Sequence, residues 1–304
     1  QQLQENINYT NVNDKYTKYN FNRQKQTKTF IATDGSLNSK RFMSDFLYAI
    51  GSLTILSKPG ENIIKDTQTA EIELLSATKA ASLNRKLSKQ MNILELKSMI
   101  KCMQNHDDNI DYILLDGNIS GKLSNFQINL DIDRIFGDSI KEDIKKLEEH
   151  LDDNSFEIEV TSNRHQNRIY DITQNYIPED EDFEKYKYDI LDYYDSLEEL
   201  ACIRHLIKKY HGKIICISKT SSTNNIFQED IPDAAVIEYA TKETGYTKLE
   251  KPVKNKKLVR KDLYDNYISI EYPLYREEIT NYEYLTFFTR LEYNKNVLKI
   301  AFKY

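Results

Sequence analysis

The sequence predicts an α/β fold in which helices flank one mixed β-sheet. Apolar segments of about four to eight residues, typical of buried strands, alternate with longer segments that have helical spacing. Two of the apolar segments end in the same dipeptide, Asp34-Gly35 and Asp116-Gly117, and a predicted helix lies between them. The chain has 304 residues, which is enough for one large or two modest domains.

The predicted elements follow one another as three strands, a helix, a strand, further helices, a strand and three late strands. Strands are predicted at residues 28–34, 42–56, 68–77, 111–116, 213–218, 267–272, 283–293 and 296–303. Helices are predicted at residues 83–104, 134–153 and 197–210, where apolar residues recur with helical spacing. The dipeptide Gly51-Ser52 predicts a break in the second strand, as in a hairpin partner.

Two further segments complete the predicted organisation. Residues 1–27 are polar and are predicted to form an N-terminal arm that contributes nothing to a core. The rest, 28–304, is predicted to be one domain with a helical insertion at about 134–200. The acidic run from Glu179 to Asp182 is typical of a solvated face, and we expect it to contact a second copy or a partner protein rather than nucleic acid.

Composition excludes several classes of protein. Charged residues make up 30% of the chain, and no segment approaches the roughly 20 apolar residues of a membrane span. The three cysteines are sparse and show no evident metal-ligand spacing, so we expect no structural zinc site and a cytoplasmic location. The net charge of −6 argues against a DNA-coating protein, but not against a nuclease with a local basic groove.

The two Asp-Gly strand ends are candidate metal ligands. If the strands are adjacent, Asp34 and Asp116 come close together, and like charges need a proton or a cation between them. Oxygen-only ligands suit Mg²⁺ or Mn²⁺, which points to phosphate chemistry. Asp-Gly after a strand is also an ordinary turn, and the residues alone leave both interpretations open.

Glu95 lies on the predicted helix between the two motifs. A helix packed on the sheet can bring one carboxylate over the strand ends, where it would share one or two cations with Asp34 and Asp116. The alternative is an exposed helical glutamate that pairs with a lysine.

Several motifs, taken in order, resemble the NurA nucleases, a family with an RNase H-like fold. The resemblance covers about residue 28 to the end of the chain. The matching segments are Phe30-Ile-Ala-Thr-Asp34-Gly-Ser36, Asn92-Ile-Leu-Glu95-Leu, Tyr112-Ile-Leu-Leu-Asp116-Gly, Leu200-Ala-Cys-Ile-Arg204, Ile214-Ile-Cys-Ile-Ser-Lys219 and Phe287-Phe-Thr-Arg-Leu-Glu-Tyr293.

The resemblance implies a metal-dependent deoxyribonuclease with Asp34, Glu95 and Asp116 as ligands of Mn²⁺ or Mg²⁺, most simply two ions. Lys219 would face the site as a point charge for a phosphate. Glu71 and Glu73 are weaker candidates for the acidic ligand. The family activity is DNA end resection in repair, as an exonuclease expected to act 5′ to 3′, with single-strand endonuclease activity also open. Expected partners are DNA, a HerA-type hexameric ATPase and a second copy of the chain.

DNA is expected on the side that holds Lys219, with the basic cluster Lys254, Lys256 and Lys257 as further contacts. Arg290 either binds a backbone phosphate or makes a structural ion pair. The family also draws a histidine from a segment after the late strands, and no histidine follows His211 in this sequence. Two alternatives therefore stay open: an inactive adaptor that docks on a HerA-type motor, and an RNase H-like ribonuclease.

Overall fold

One mixed β-sheet organises the chain in the computed structural model. The structure describes residues 9–21, 25–42, 45–76, 83–106, 109–124, 126–177, 182–249, 253–254, 259–261, 267–269 and 272–303. The described strands are β1 (Tyr16–Lys18), β2 (Phe30–Phe42), β3 (Asp45–Ser57), β4 (Ile64–Ser76), β5 (Tyr112–Asp116), β6 (Ile214–Ser218), β7 (Gly245–Thr247), β8 (Val253–Lys254), β9 (Val259–Lys261), β10 (Tyr267–Ser269), β11 (Glu283–Arg290) and β12 (Leu298–Lys303). The described helices are α1 (Tyr9–Lys15), α2 (Leu83–His106), α3 (Ile119–Ser124), α4 (Leu130–His150), α5 (Thr161–Arg164), α6 (Gln166–Thr173), α7 (Lys187–Tyr210), α8 (Asp233–Ala240) and α9 (Arg276–Thr280).

The sheet has the order β1-β7-β11-β12-β6-β5-β2-β3-β4, with β8 paired to β11. In its centre β5 runs parallel to both β2 and β6, whereas β3 and β4 are antiparallel to their neighbours. Strands β9 and β10 form a separate two-stranded sheet. The predicted mixed sheet with flanking helices and additional C-terminal strands is confirmed.

The first two strands are longer than the sequence predicts. Strand β2 continues past Asp34 to Phe42, and β3 runs without interruption through Gly51-Ser52. The predicted break is wrong because Gly51 and Ser52 pair in register with Ser36 and Gly35 of β2, so the antiparallel ladder continues through them. The extension was missed because side chains in the second half of β2 are exposed and polar, without the apolar pattern of a buried strand.

Helices α2, α4 and α7 form much of the main core with the sheet. Helix α4 begins earlier than predicted because the Asn129 side chain accepts hydrogen bonds from the backbone N–H groups of Asp131 and Ile132, at 3.0 and 3.4 Å. Helix α7 begins ten residues before its predicted start at 197, and this first part buries Tyr193 and Tyr194. The described helices α4 to α7 lie between residues 130 and 210, and the division of this region into an insertion at about 134–200 stays a prediction.

The N-terminal residues 9–18 belong to the packed structure. Strand β1 pairs with β7, and Val12 and Tyr16 are only 3% and 5% exposed in a second core with Val236 and Phe288. The expectation that the arm adds nothing to a core is therefore wrong, because two apolar side chains suffice to anchor a short segment at the edge of the sheet. The domain boundary at 27 stays a prediction.

No helix among the described residues is long and apolar enough to cross a membrane. The acidic run from Glu179 to Asp182 lies outside the described residues, except for Asp182. Asp182 itself accepts a hydrogen bond from the backbone N–H of Glu184 at 3.0 Å and begins a 3₁₀ turn before α7.

Candidate metal centre

Asp34 and Asp116 lie side by side on adjacent strands. The parallel register pairs Thr33 of β2 with Leu115 of β5, so the next residue on each strand, Asp34 and Asp116, stands at the same level. Residues level with each other on neighbouring parallel strands point to the same face of the sheet. Both aspartates are exposed. The prediction that they lie on adjacent strands is confirmed, and the predicted approach of their two carboxylates stays a prediction.

The two Asp-Gly dipeptides differ in their backbone. Gly117 has a φ of +83° and ends β5 in a turn, with its N–H donating to the carbonyl of Ile217 at 2.9 Å. Gly35 instead continues β2 as an ordinary strand residue. The backbone therefore turns at the second motif and stays extended at the first, where Gly35 has another role.

Gly35 makes room for Glu95. The Gly35 backbone N–H lies beside the Glu95 carboxylate and lowers the pKa of that group. A Cβ at position 35 would lie 2.5 Å from Glu95 Oε1 and 2.7 Å from Met91 Cγ, so the two side chains occupy the space that a larger residue would need. The first Asp-Gly motif thus places a ligand candidate, Asp34, next to the residue that makes room for Glu95.

Glu95 is buried, with 8% of its surface exposed. Burial raises its pKa, while the Lys122 ammonium and the Gly35 N–H oppose the rise, and the charges of Asp34 and Asp116 add to it. The Glu95 carboxylate is therefore close enough to Asp34 and Asp116 for both charges to affect its pKa. The interpretation of Glu95 as an exposed surface glutamate is wrong, although it does have a lysine partner.

Two lysines lie beside the acidic group that Asp34, Glu95 and Asp116 form. Lys219 follows β6, and its Nζ lies 3.1 Å from Asp116 Oδ2 with 72% of its side chain exposed. Lys122 of α3 is mostly buried; its Nζ lies 3.7 Å from Glu95 Oε2 and donates to Asn92 Oδ1 at 2.8 Å. Lys219 was predicted to face the site, whereas Lys122 was missed. It lies six residues after Asp116 on the short helix α3, and no local sequence pattern indicates its contact with Glu95.

The chemistry of these side chains fits a hard divalent cation. Asp34, Glu95 and Asp116 offer only carboxylate oxygens, the ligands that Mg²⁺ and Mn²⁺ prefer. The ligand oxygens of these three residues do not all lie within 4.8 Å of one another. Among the described residues, such close ligand atoms occur only in another cluster, formed by Asp66, Cys102 and His106.

A cleft of about 510 Å³ opens beside Asp116, between the first turns of α2, the β5–α3 turn and helix α7. It is lined by Arg85, Ser88, Lys89, Asn92, Asp116, Gly117, Asn118, Gly121, Lys122, Phe126, Gln127, Ser196 and Glu199. Lys89 is committed to Asp192, with Nζ 2.9 Å from Oδ1, and only 10% of its side chain is exposed. Arg85 is the more accessible cation, with 55% of its side chain exposed and a hydrogen bond to Gln127 Oε1 at 3.0 Å.

Three other candidates do not join this site. Glu71 is 2% exposed, and its carboxylate accepts hydrogen bonds from the Val160 N–H and the Asn163 side chain, both at 2.7 Å. The weaker prediction that Glu71 is a metal ligand is therefore wrong, because its buried carboxylate is used in structural hydrogen bonds. Glu73 also lies on β4, two strands away from β2.

The alternative in which Arg290 binds a phosphate is also wrong, because Arg290 is only 2% exposed and offers no surface to a phosphate. Its guanidinium donates to the backbone carbonyls of Lys295, at 2.7 Å, and Thr241, so its role is structural. Lys256 and Lys257 lie outside the described residues, and for Lys254 only the backbone, paired with Glu283 through β8, is described. Their proposed contact with DNA stays a prediction.

Comparisons with known proteins agree with this arrangement. A family model described as the NurA domain matches residues 28–303. The DNA double-strand break repair nuclease NurA of Sulfurisphaera tokodaii is 27% identical over 290 residues, which cover 95% of this chain and 71% of that protein. The crystal structure of the NurA nuclease from Sulfolobus solfataricus has a TM-score of 0.65 at 21% identity, covering all of this chain and 75% of that one.

A crystal structure of NurA bound to dAMP and manganese also matches, with a TM-score of 0.62 at 13% identity, over 99% of this chain and 82% of that one. At 13% and 21% identity, the similarity to these two crystal structures shows the fold alone. The family match, in contrast, spans both Asp-Gly strands, the helix that carries Glu95 and the strand before Lys219. This chain therefore belongs to the NurA domain family.

Proposed function

We propose that this chain is a metal-dependent DNA nuclease that hydrolyses phosphodiester bonds. The observation that carries the proposal is the level pair Asp34 and Asp116 on adjacent strands, with the Glu95 carboxylate of α2 close enough to interact with both charges. Such a group is costly for folding, because three carboxylates repel one another. It is well suited to holding cations against a phosphate.

The named relatives support the substrate class. The protein from Sulfurisphaera tokodaii is named a DNA double-strand break repair nuclease, and one structural neighbour binds dAMP and manganese. Manganese or magnesium, most simply as two ions, would be held by Asp34, Glu95 and Asp116. When bound, the metal would supply the positive charge that activates water and neutralises the phosphate.

The chain's own residues have separable tasks in this proposal. Asp34 and Asp116 hold the cations from the sheet, and the missing Cβ at Gly35 leaves room for the Glu95 carboxylate beside them. Lys122, held by Asn92, sets the position of the Glu95 carboxylate from the other side. Lys219 is exposed beside Asp116, so its ammonium can turn to a non-bridging phosphate oxygen once cations occupy the carboxylates.

We infer that a DNA strand reaches Asp116 through the adjoining cleft. The cleft ends at the candidate metal ligands, and Arg85 offers an exposed guanidinium at its wall. A guanidinium pairs with a phosphate through two parallel hydrogen bonds, so Arg85 suits a backbone contact.

Partners and polarity rest on the family resemblance. We propose a homodimer that works with a HerA-type hexameric ATPase in DNA end resection, with 5′ to 3′ exonuclease action. The net charge of −6 fits a nuclease that receives DNA from a motor rather than attracting it over a wide surface. Light scattering of the purified chain tests the dimer, and co-purification with a co-expressed HerA-type ATPase tests the motor.

A cleavage assay with labelled single- and double-stranded DNA, in Mn²⁺, Mg²⁺ or EDTA, tests the nuclease. We expect cleavage with a divalent cation, none in EDTA and none of a matched RNA. RNA cleavage would favour the ribonuclease alternative. No cleavage of either, by a chain that still binds a HerA-type ATPase, would favour the adaptor.

A further inference from the structure

A cluster outside the candidate active site brings together three different metal-ligand types. Cys102 and His106 lie four residues apart on one face of α2, and Asp66 faces them from β4. One ligand atom from each lies within 4.8 Å of the other two, and among the described residues this is the tightest such group of three. No local sequence pattern indicates this cluster, because its third ligand comes from a distant strand.

The backbone of β4 is shaped at this point to present Asp66. The ladder between β3 and β4 pairs Thr54 with Thr67 and Ile55 with Lys65, which leaves Asp66 as the extra residue of a β-bulge. A bulge turns one side chain out of the regular alternation of the strand, and such bulges are frequent beside functional sites. Here it directs a carboxylate toward the last turns of α2.

The hydrogen bonds of Asp66 leave one ligand position open. Its Oδ1 lies 2.6 Å from His106 Nε2, whereas Oδ2 is buried and has no hydrogen-bond partner. A buried carboxylate oxygen without a donor is unfavourable unless a cation or proton compensates it. Cys102 is fully buried next to this carboxylate, and burial followed by the Asp66 charge raises the pKa of its thiol.

We propose that Asp66, Cys102 and His106 form a second metal site, selective for Zn²⁺ or a similar borderline cation. Sulfur, nitrogen and oxygen ligands at about 2.0–2.3 Å from zinc lie roughly 3.3–3.7 Å apart in a tetrahedron, so small side-chain movements close the cluster. Binding replaces the thiol proton of Cys102, which leaves as H⁺ while the sulfur ligates the metal. His106, 28% exposed at its side chain, lies at the solvent side, where water would complete the coordination.

The site would join the start of β4 to the end of α2. Glu95 stands on the same helix, about three turns before His106, so the metal would stabilise the helix that carries a catalytic-site ligand without contacting substrate. Its ligand set also separates it from the acidic group, because thiolate and imidazole select zinc whereas carboxylates alone select harder cations.

Cobalt titration of the metal-stripped chain tests the proposal. We expect one equivalent of Co²⁺ to give a near-ultraviolet thiolate-to-metal charge-transfer band that Zn²⁺ removes by competition. Cys102→Ser should abolish the band and weaken Zn²⁺ binding at least a hundredfold, and His106→Asn should weaken binding similarly. Cys202→Ser, which changes a buried cysteine on α7, should leave both unchanged, as should Asp34→Ala.

A measurement on the wild-type chain tests the site even if the variants do not fold. X-ray absorption at the zinc edge should show one sulfur and at least one imidazole nitrogen per bound zinc. A band that survives Cys102→Ser, or a zinc environment without sulfur, would overturn the proposal and leave a simple His106–Asp66 ion pair. Because these readouts do not involve cleavage, they stand apart from the nuclease proposal.

Discussion

A close approach between the backbone of Gly35 and the carboxylate of Glu95 joins strand β2 to helix α2 at the candidate metal centre. It exists because position 35 has no Cβ, which would otherwise lie 2.5 Å from Glu95 Oε1. The glycine after Asp34 is therefore part of the site rather than of a turn.

Gly35→Ala should reduce cleavage at least tenfold and weaken Mn²⁺ binding, because the new methyl group displaces Glu95 and Met91. Both are flexible side chains, so the fold should survive with a modest loss of stability. Gly212→Ala, where a Cβ meets nothing within 4 Å, is the matched control. Unchanged Mn²⁺ affinity in Gly35→Ala, measured by calorimetry, would show that Glu95 is not a ligand.

Asp34→Ala and Asp116→Ala should each lower cleavage by about a hundredfold or more, since each removes a proposed metal ligand. In buffer without divalent cations both variants should melt at the wild-type temperature or up to a few degrees higher, because a repulsion between like charges is relieved. Asp138→Ala, an exposed aspartate on α4, controls for the loss of charge alone. Wild-type cleavage by Asp34→Ala with the same metal would contradict the assignment.

Lys219→Ala should lower kcat/KM about tenfold to a hundredfold, through loss of a cation beside the scissile phosphate. Lys219→Arg should recover part of the rate, because the charge remains 3.1 Å or so from Asp116 in the free protein. Lys145→Ala, on the exposed side of α4, should have no effect. If Lys219→Ala only changes thermal stability, the lysine serves as a partner for Asp116 and not for DNA.

Asp195 predicts a particular dependence of stability on pH. It is fully buried on α7, where Gln90 donates to it at 3.0 Å and Ser162 also donates, and burial raises its pKa from 3.8 to about 6 despite the nearby charges of Lys86 and Lys89. A raised pKa favours the protonated form in the folded state. The resulting stabilisation is present below about pH 4 and is lost as the pH rises through about 6.

Asp195→Asn removes this titration, whatever the substitution itself does to the free energy of unfolding. Between pH 4 and pH 7.5 the wild-type free energy of unfolding should fall by about 2 kcal/mol more than that of the variant, because most of the interval between the two pKa values of 3.8 and about 6 lies in this window and each unit of pKa is worth about 1.4 kcal/mol. Urea unfolding at several pH values measures both slopes. Asp171→Asn, an exposed position on α6, should keep the wild-type slope. Parallel curves for wild type and Asp195→Asn would mean that burial is relieved by water.

The sequence predicted the acidic centre because its signal is local. An apolar segment followed by Asp-Gly can be recognised from eight residues, and the repetition of that pattern predicted two neighbouring strands whose aspartates lie together. Lys122 was missed because its role depends on how α3 folds back over Glu95, which no short pattern encodes.

The interior of the helical layer was the least predictable part. Lys97 and Glu198 form an ion pair of 2.6 Å between α2 and α7, with 4% and 0% of their side chains exposed. Charged residues in a helix ordinarily indicate a solvated face, so a buried pair that depends on two distant helices has no sequence signal. Similarly, Glu71 and Arg290 resembled functional residues and proved to be bonded to backbone groups inside the fold.

A salt titration of DNA binding distinguishes the two surfaces proposed for the substrate. Each lysine or arginine that contacts a phosphate contributes about one unit to the slope of log K against log salt. Arg85→Ala should weaken binding severalfold and reduce the slope by about one, if the strand passes through the cleft beside Asp116. Replacing Lys254, Lys256 and Lys257 together with glutamate should weaken binding more and flatten the slope further, if the basic cluster also contacts DNA.

The matched control replaces Glu179, Asp180 and Glu181 with alanine, which should leave DNA binding and its salt dependence nearly unchanged while altering assembly with a second copy or a motor. The acidic run repels phosphates within about 8–10 Å at physiological salt, so it belongs on a side that DNA does not visit. A strong effect of this control on DNA binding, with none from Arg85→Ala, would move the substrate to the opposite face. An effect of Arg85→Ala alone would confine DNA to the cleft and leave the basic cluster free for a protein partner.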